Sequence, residues 1–210
     1  MSEPTATLAN DVVPAPPEPS FGAQLRNAVA MLAALTLLTG VAYPLAITGI
    51  ARVAFPDASS GSLVTRDGKV IGSRLIGQPF DDSKYFWSRI SGTAPSPYNA
   101  QASGASNLGP TNKALTDAAK ARIDALRAAD PGNDAPVPVD LVTGSGSGLD
   151  PHISLAAAEY QLKRVARVRG LSAERVRGLV NANVDARDLG VLGEPGVNVL
   201  LLNLALDREK

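Results

Sequence analysis

The sequence predicts an α+β protein in which a single amino-terminal transmembrane helix precedes one mixed α/β extracytoplasmic domain. The stretch Asn27–Ala51 contains no Asp, Glu, Lys or Arg, and Arg26 and Arg52 lie at its two ends. A helix rises by about 1.5 Å per residue, so this stretch is long enough to cross a hydrocarbon core of roughly 30 Å. Residues 52–210 mix strand-like and helix-like patterns, which predicts one soluble α+β domain.

The apolar stretch fits a cleaved signal peptide or a buried core helix less well than a membrane span. A cleaved signal peptide has an apolar core of only about 7–15 residues behind a basic segment, whereas the charges before Asn27 are mainly acidic. A buried core helix is usually shorter and amphipathic. Gly40 and Pro44 lie inside the stretch, and helices in bilayers tolerate both better than soluble helices do. The prediction is a permanent span over residues 27–51 that contacts membrane lipid.

Residues 1–26 form the predicted cytoplasmic tail. They are rich in Pro and Ala, as in the segment VVPAPPEPS, and this composition is typical of disorder. Positive charges near the span do not fix its orientation, because Arg26 stands against Arg52 and Arg66. The short tail favours a cytoplasmic amino terminus, with residues 52–210 translocated behind an uncleaved signal anchor.

Composition excludes several kinds of function. Lys and Arg together number 20, as do Asp and Glu, so the chain lacks the basic excess of a nucleic-acid-binding surface. The absence of cysteine excludes disulfides, zinc ribbons and thiol catalysis. The single His excludes a metal site that takes two His from this chain. We therefore expect neither a nucleic-acid partner nor a metal site.

The first predicted elements of the domain are a β-hairpin and a long loop. Leu63–Thr65 and Lys69–Ile76 have the composition of strands, and the dipeptide Asp67-Gly68 between them favours a tight turn. Residues 77–110 contain several Pro and many Gly, Ser and Asn, which predicts an extended loop.

Three helices and two further strands are predicted after this loop. Thr111 or Asn112 is a suitable cap for the first helix, and the pair Asp150-Pro151 has the composition of a second helix start. In chain order the predicted elements are a helix over 112–129, a strand over Val137–Thr143, helices over 150–169 and 172–183, and a strand over Val197–Leu206. The apolar character of the last strand predicts a central position in a sheet.

Two side-chain clusters have a structural interpretation. Four aromatic residues of the long loop predict a packing anchor, or a partner surface if they are exposed: Phe80, Tyr85, Phe86 and Trp87. Six basic residues follow on the second and third predicted helices: Lys163, Arg164, Arg167, Arg169, Arg175 and Arg177. We interpret them as a solvated helix face on which Glu159 pairs with Lys163. Docking to acidic headgroups or to an acidic subunit is the alternative.

The segment Gly144–Gly148 alternates Gly and Ser between a predicted strand and a predicted helix. In this setting backbone N–H groups can bind phosphate. The dinucleotide pattern G-x-G-x-x-G fails at Leu149, however, and the chain has no G-K-[ST] tripeptide of a P-loop. A flexible connector is the alternative, and Ser147 and Gly148 are retained as candidate contacts of a nucleotide or a partner.

Ser147, Asp150 and His152 have the residue types of a catalytic triad but lie close together in sequence. Triads are assembled from distant segments, because nucleophile, base and orienting carboxylate must converge in space. No G-x-S-x-G elbow occurs in the chain. A neutral His152 that bonds the backbone or packs locally, in the first turn of the predicted helix, is the simpler interpretation. A membrane-anchored serine hydrolase and a stand-alone anchored binding module stay open as alternative functions.

A second loop of small residues spans Ala102–Asn107. Small polar residues let a backbone approach a ligand or a partner closely. Its candidate contact residues are Ser103, Gly104, Ser106 and Asn107. An ordered surface loop that turns toward the next helix is the alternative interpretation.

Six segments, taken in order, carry a resemblance to one family: GSLVTRDGKVIGSRLIGQPF, YFWSR, SGASNLGPTN, VPVDLVTGSGSGLDPHIS, VARVRGL and LGEPGVNVLLLNLAL. They resemble the C subunit of the Kdp potassium-transporting ATPase over residues 28–206, and SGSGLDPHIS with GEPxVNVLxLNLAL is specific to it. The chain departs from the family at residues 89–92, where RISG replaces the usual RPSA, and at Ala105, where the family usually has Gly.

The resemblance implies a non-catalytic subunit of an inner-membrane complex that imports K⁺, driven by ATP. A channel-like subunit would carry the ion, a P-type subunit would hydrolyse ATP, and a small single-span subunit would accompany them. The chain itself has no DKTG phosphorylation motif, in agreement with this division of labour.

The family offers two roles for such a subunit. One is a catalytic chaperone that raises the ATPase subunit's affinity for ATP, with residues 103–107 likened to an ABC-type signature. The other is assembly of the complex at its outer face. We favour this role because ATP is cytoplasmic, whereas residues 52–210 are predicted to lie outside. We expect no tightly bound cofactor, and ATP would at most be shared with the ATPase subunit. The resemblance leaves Ser147, Gly148, Asp150 and His152 as further candidate contacts.

Overall fold

The computed structural model describes residues 20–209. Most of the predicted disordered tail, residues 1–19, lies outside the described residues, whereas a helix begins at Phe21 within the last part of that tail. The chain divides into two compact units, of which the first ends at Pro56 and the second begins at Asp57.

The first unit is a helical segment of 34 residues. It consists of α1 (Phe21–Leu37), a π-helical turn (Leu38–Ala42) and α2 (Tyr43–Ala54). In the π-helical turn, the N–H of Tyr43 donates to the carbonyl of Leu38. The wider turn lies directly before Pro44, which has no N–H to offer to the regular helical ladder.

This segment is uncovered along its whole length. None of its residues is buried, and its most apolar window has a mean hydropathy of 1.9. Within residues 20–209 it is the one helix long and apolar enough to cross a membrane. A core helix of a soluble protein would be mostly buried, so the predicted span Asn27–Ala51 lies inside a longer helix that has the features of a membrane segment.

The predicted hairpin and long loop are confirmed. Strand β1 (Leu63–Arg66) pairs antiparallel with β2 (Lys69–Ser73). Asp67 and Gly68 have φ values of +51° and +74°, and two consecutive positive φ values define the type I′ turn expected of Asp-Gly. Residues 77–110 contain turns and one isolated bridge but no helix.

Helices and a small sheet form the rest of the second unit, which confirms the α+β class. The helices are α3 (Pro56–Ser59), α4 (Lys113–Ala129), α5 (Leu155–Arg169), α6 (Ala173–Ala182) and α7 (Val199–Leu206). The strands are β3 (His152–Ile153), β4 (Val184–Asp185) and β5 (Gly196–Asn198), which pair antiparallel in the order β3-β5-β4. α4 and α6 match their predicted extents because the side chains of Asn112 and Ser172 cap them.

The strand predicted over Val137–Thr143 is wrong. The segment forms a single 3₁₀ turn at Val139–Leu141, in which Leu141 is buried. Pro136 and Pro138 remove two N–H groups that a sheet ladder requires, so the chain bends instead of pairing.

The helix predicted to start at Asp150 starts later. Its cap is Ser154, whose hydroxyl accepts a hydrogen bond from the N–H of Ala157 at 3.0 Å. Asp150 instead accepts the N–H of His152 at 2.9 Å, a local turn that leads into β3. His152 therefore lies on a strand and not in the first turn of a helix.

The strand predicted over Val197–Leu206 is also wrong beyond its first two residues. Asn198 ends β5 and starts α7, because its side-chain oxygen accepts the N–H of Leu201 at 3.1 Å. An unbroken apolar run fits a buried helix as well as a central strand, and Leu favours the helix.

The core lies between α5, α6, α7 and the three-stranded sheet. Its fully buried aliphatic residues include Leu162, Val165, Val176, Val197, Leu202 and Leu206. Phe86 and Trp87 of the long loop join this core. The N–H of Phe86 donates to the side-chain oxygen of Asn203 at 2.9 Å, and the Asn203 amide donates back to the Phe86 carbonyl at 3.0 Å. The aromatic cluster is therefore the packing anchor predicted for the loop.

The prediction that the basic residues form a solvated helix face is wrong for Arg164, which is 1% exposed. Its guanidinium donates to the Ser83 carbonyl and to the side chain of Gln161, and lies 5.0 Å from the ring of Trp87. Burial lowers the pKa of Arg164 to about 10, so it stays protonated at neutral pH. Glu159 pairs with Arg177 and not with Lys163 as predicted.

Candidate functional site

Two loops of small residues pack against each other and form the candidate site. We call residues 91–107 the first site loop and residues 144–150 the second site loop. The N–H of Gly104 donates to the carbonyl of Ser147 at 2.8 Å, and the Ser103 hydroxyl donates to the same carbonyl at 3.1 Å. The Ser91 hydroxyl donates to the carbonyl of Gly148 at 2.7 Å. The structure thus brings together four of the residues predicted as contacts.

Glycine is required where the two loops touch. A Cβ atom added to Gly148 would lie 2.5 Å from the carbonyl oxygen of Gly104 and 2.7 Å from a methyl carbon of Thr93. Gly148 also has a φ of +67°, which favours glycine. A Cβ atom on Gly92 would lie 2.8 Å from the backbone nitrogen of Ser106. The small residues therefore serve a close approach between two backbones.

The two remaining candidates of the first site loop, Ser106 and Asn107, are exposed. Ser106 touches the other end of its own loop through Gly92, and Asn107 takes a φ of +51° that Asn tolerates better than most residues. Both stay accessible to a partner.

Two of the N–H groups that a phosphate cradle could use in the second site loop already have partners within the loop. The N–H of Gly148 donates to the Ser145 carbonyl at 3.3 Å, and that of Leu149 to the Ser147 hydroxyl at 3.1 Å. The loop leads into β3, and the start of α5 is occupied by the Asp140 carboxylate, which accepts the N–H of Ser154 at 2.7 Å. A carboxylate at this helix start fills the position that a phosphate would take.

A chain of ion pairs continues from the second site loop into the sheet. One carboxylate oxygen of Asp150 accepts from Arg89 at 2.9 Å, and the other lies 3.3 Å from Nδ1 of His152. Nε2 of His152 lies 2.7 Å from the carboxylate of Asp185. His152 thus bridges β3 and β4 across the central strand β5.

The pKa values of His152 and Asp150 shift in opposite directions, and both shifts favour the charged forms. The hydrogen bond with Asp150 raises the pKa of His152, burial partly opposes this effect, and the hydrogen bond with Asp185 adds to it. Burial alone would raise the pKa of Asp150, but hydrogen bonds from His152 and the charge of Arg89 outweigh it and lower that pKa. Two carboxylates therefore favour the charged imidazolium over the neutral ring, and His152 contacts side-chain carboxylates through both ring nitrogens.

The compressed triad is not assembled. Both ring nitrogens of His152 face carboxylates, and the Ser147 hydroxyl accepts from the N–H of Leu149. A general base needs a free ring nitrogen directed at the nucleophile. Among residues 20–209 no group of three or more His, Cys, Asp or Glu side chains is arranged to hold a metal ion.

Sequence reasoning missed Arg89 and Asp185 as members of this site. Arg89 lies 61 residues before Asp150, and Asp185 lies 33 residues after His152. The sequence offered only a weak signal: Arg89 follows the aromatic pair Phe86 and Trp87, whereas Asp185 follows the helix predicted over 172–183 and belongs to no motif. Their pairing depends on the tertiary fold, in which β3 and β4 flank β5 and the side chains of His152 and Asp185 meet across that strand.

One uncovered apolar helix and one α+β domain with two interlocked loops define a protein with a single candidate membrane anchor and a preformed surface. The chain matches the family model KdpC, described as K⁺-transporting ATPase, c chain, over residues 25–208, and it belongs to that family.

Relatives agree along nearly the whole chain. The potassium-transporting ATPase KdpC subunit of Sorangium cellulosum (strain So ce56) is 65% identical over 185 residues, which cover 88% of this chain and 97% of the relative. The KdpC subunit of Polaromonas naphthalenivorans (strain CJ2) is 65% identical over 186 residues, which cover 89% and 95%. That of Ralstonia nicotianae (strain ATCC BAA-1114 / GMI1000) is 58% identical over 200 residues, which cover 95% and 98%. The resemblance predicted from the six segments is confirmed.

Proposed function

We propose that this chain is a non-catalytic subunit that assembles and stabilises an ATP-driven potassium import complex. The observation that carries the proposal is the interlocking of the two site loops. The Gly104 N–H and the hydroxyls of Ser103 and Ser91 of the first site loop donate to carbonyls of the second, which makes a rigid, preformed surface. Rigid surfaces bind protein partners with little loss of conformational entropy.

The partners in this proposal are a channel-like potassium-translocating subunit, an ATP-hydrolysing P-type subunit and a small single-span subunit. Any support of ATP binding acts through contact with the ATP-hydrolysing subunit, as a catalytic chaperone would act. The internal bonding of Gly104 and Gly148 supports this indirect route, because these N–H groups are already used within the loops.

Assembly is tested by deleting residues 57–210 and isolating the complex through a tag on the ATP-hydrolysing subunit. We expect the remaining helix to be lost from the isolated complex and the other subunits to dissociate, because the preformed surface is absent. The full-length chain with the same tag arrangement is the control. If all subunits are recovered in their normal ratio without residues 57–210, the assembly role is wrong.

Orientation is part of the same proposal: an inner-membrane protein with a cytoplasmic amino terminus and an extracytoplasmic domain. The chain has no Cys, so single cysteines report without background. We expect Ser59→Cys, at an exposed position, to react with a membrane-impermeant thiol reagent in intact cells, and Ser2→Cys not to react. The reverse pattern would place the domain in the cytoplasm and favour direct contact with ATP.

A further inference from the structure

The loop between β4 and β5, residues 186–195, exposes a cluster of aliphatic side chains. We call this segment the tip loop. Leu189 is 91% exposed, the highest value among the large apolar residues described, and Val191 and Leu192 are 72% and 59% exposed. Single exposed aliphatic residues are common on protein surfaces, but a cluster of them marks an interaction site.

The tip loop has a defined backbone conformation. Asp188 and Leu192 exchange two backbone hydrogen bonds of 2.9 Å, and the N–H of Gly190 donates to the Arg187 carbonyl at 3.1 Å. Leu189 has a φ of +52°, a left-handed conformation that is unfavourable for a bulky residue. An exposed Leu contributes nothing to the core, so this unfavourable conformation has no compensation within the fold. Such strain is typical of positions that act in binding.

The base of the tip loop is fixed to the candidate site. His152 holds Asp185 at one end of the loop through the 2.7 Å contact with its carboxylate. At the other end, a Cβ atom on Gly196 would lie 3.0 Å from the Cβ of His152, so the His152 side chain packs directly on this glycine. The same His152 contacts Asp150 of the second site loop. The tip loop therefore extends a rigid part of the domain.

Charge distinguishes between a membrane and a protein as the partner. Arg187, the one base among residues 185–196, pairs with Glu194 at 2.7 Å, and His152 pairs with Asp185 at 2.7 Å. The rim of the tip loop therefore holds three carboxylates, on Asp185, Asp188 and Glu194, of which only that of Asp188 has no ion-pair partner among the described residues. They line a shallow pocket of about 240 Å³ together with Asp150 and His152. An acidic rim is repelled by anionic lipid headgroups, whereas it complements a basic rim on a protein.

We propose that the tip loop inserts Leu189 and Val191 into an apolar pocket with a basic rim on another subunit of the transport complex. The inference rests on the proposed function and gives it a contact surface. The aliphatic side chains provide the buried centre of the interface, and the surrounding carboxylates fix its register.

The test is Leu189→Asn in the full-length chain, produced together with the other subunits. Asn tolerates the left-handed conformation better than Leu, so we expect thermal stability to stay equal or to rise. Removal of a central aliphatic anchor should nevertheless raise the concentration at which the detergent-solubilised complex half-dissociates by about tenfold. Val139→Asn is the matched control, since Val139 is 72% exposed on a separate turn, and it should change neither quantity.

A photo-crosslinking amino acid at Val191 identifies what the tip loop touches. A crosslink to a protein subunit, together with the effect of Leu189→Asn, supports the inference. A crosslink to lipid alone, no crosslink at all, or normal association of Leu189→Asn overturns it. If deletion of residues 57–210 disrupts the complex while Leu189→Asn does not, the inference about the tip loop fails and the assembly role stands. If the complex stays intact after the deletion, both the assembly role and the inference about the tip loop are wrong.

Discussion

Replacing Gly148 by Ala is expected to destabilise the domain by about 2–5 kcal/mol and to weaken its association with the other subunits. The added Cβ would lie 2.5 Å from the carbonyl oxygen of Gly104, a backbone atom that cannot move aside without separating the two site loops. The φ of +67° adds a second cost, because an L-residue is unfavourable in the left-handed region. Both effects act at the contact between Gly104 and Ser147.

The measurement is thermal unfolding of the full-length chain in detergent, followed by fluorescence of Trp87, the one Trp in the chain. Trp87 is buried, so its emission reports on the domain. We expect Tm to fall by roughly 5–15 °C.

Gly146→Ala is the matched control for Gly148→Ala. It lies in the same loop, a Cβ atom there would meet nothing within 4 Å, and its φ is outside the left-handed region. Its effect should stay within about 0.5 kcal/mol. Equal Tm values for the two variants would show that the loops do not depend on their close approach, and the interlocked loops would then not form a rigid surface.

Features that depend on neighbouring residues were predictable from the sequence. The Asp67-Gly68 turn and the helix caps at Asn112 and Ser172 are confirmed, because a cap or a turn uses atoms only a few residues away. The same local logic failed at Asp150. A second capping residue, Ser154, followed closely, and the choice between them depends on how β3 pairs with β5.

Features that depend on distant residues were not predictable in the same way. The two site loops were each identified as candidates, but their contact joins residues 44 positions apart. Arg164 was assigned to a solvated face because helical periodicity carries no information about the loop that covers this residue. Its hydrogen-bond partner, the Ser83 carbonyl, lies 81 positions away in the sequence. Sequence patterns therefore indicated which segments matter, while the fold determined which side chains meet.

Replacing Trp87 by Ala is expected to destabilise the domain by about 3–5 kcal/mol, the usual cost of removing a buried Trp side chain. Two guanidinium groups lie over the indole ring, those of Arg122 at 4.8 Å and Arg164 at 5.0 Å from the ring centroid. Within the described residues neither Arg forms a salt bridge with a carboxylate, and their donors bond to carbonyls and to Gln161. The ring therefore helps to compensate the buried cation of Arg164 and the half-buried cation of Arg122, and its loss leaves both without this contact.

Trp87→Phe separates this stacking role from the rest of the side chain. Phe keeps an aromatic ring near the two guanidinium groups but loses the indole N–H that donates to the Asp82 carbonyl at 3.0 Å. We expect a loss of only about 1–2 kcal/mol, measured by circular dichroism during thermal unfolding in detergent, since neither variant retains a Trp. If the Ala and Phe variants unfold at the same temperature, the guanidinium groups of Arg122 and Arg164 do not depend on the ring. The same result would assign the stability of this region to the carbonyl hydrogen bonds of Arg122 and Arg164, which neither substitution removes.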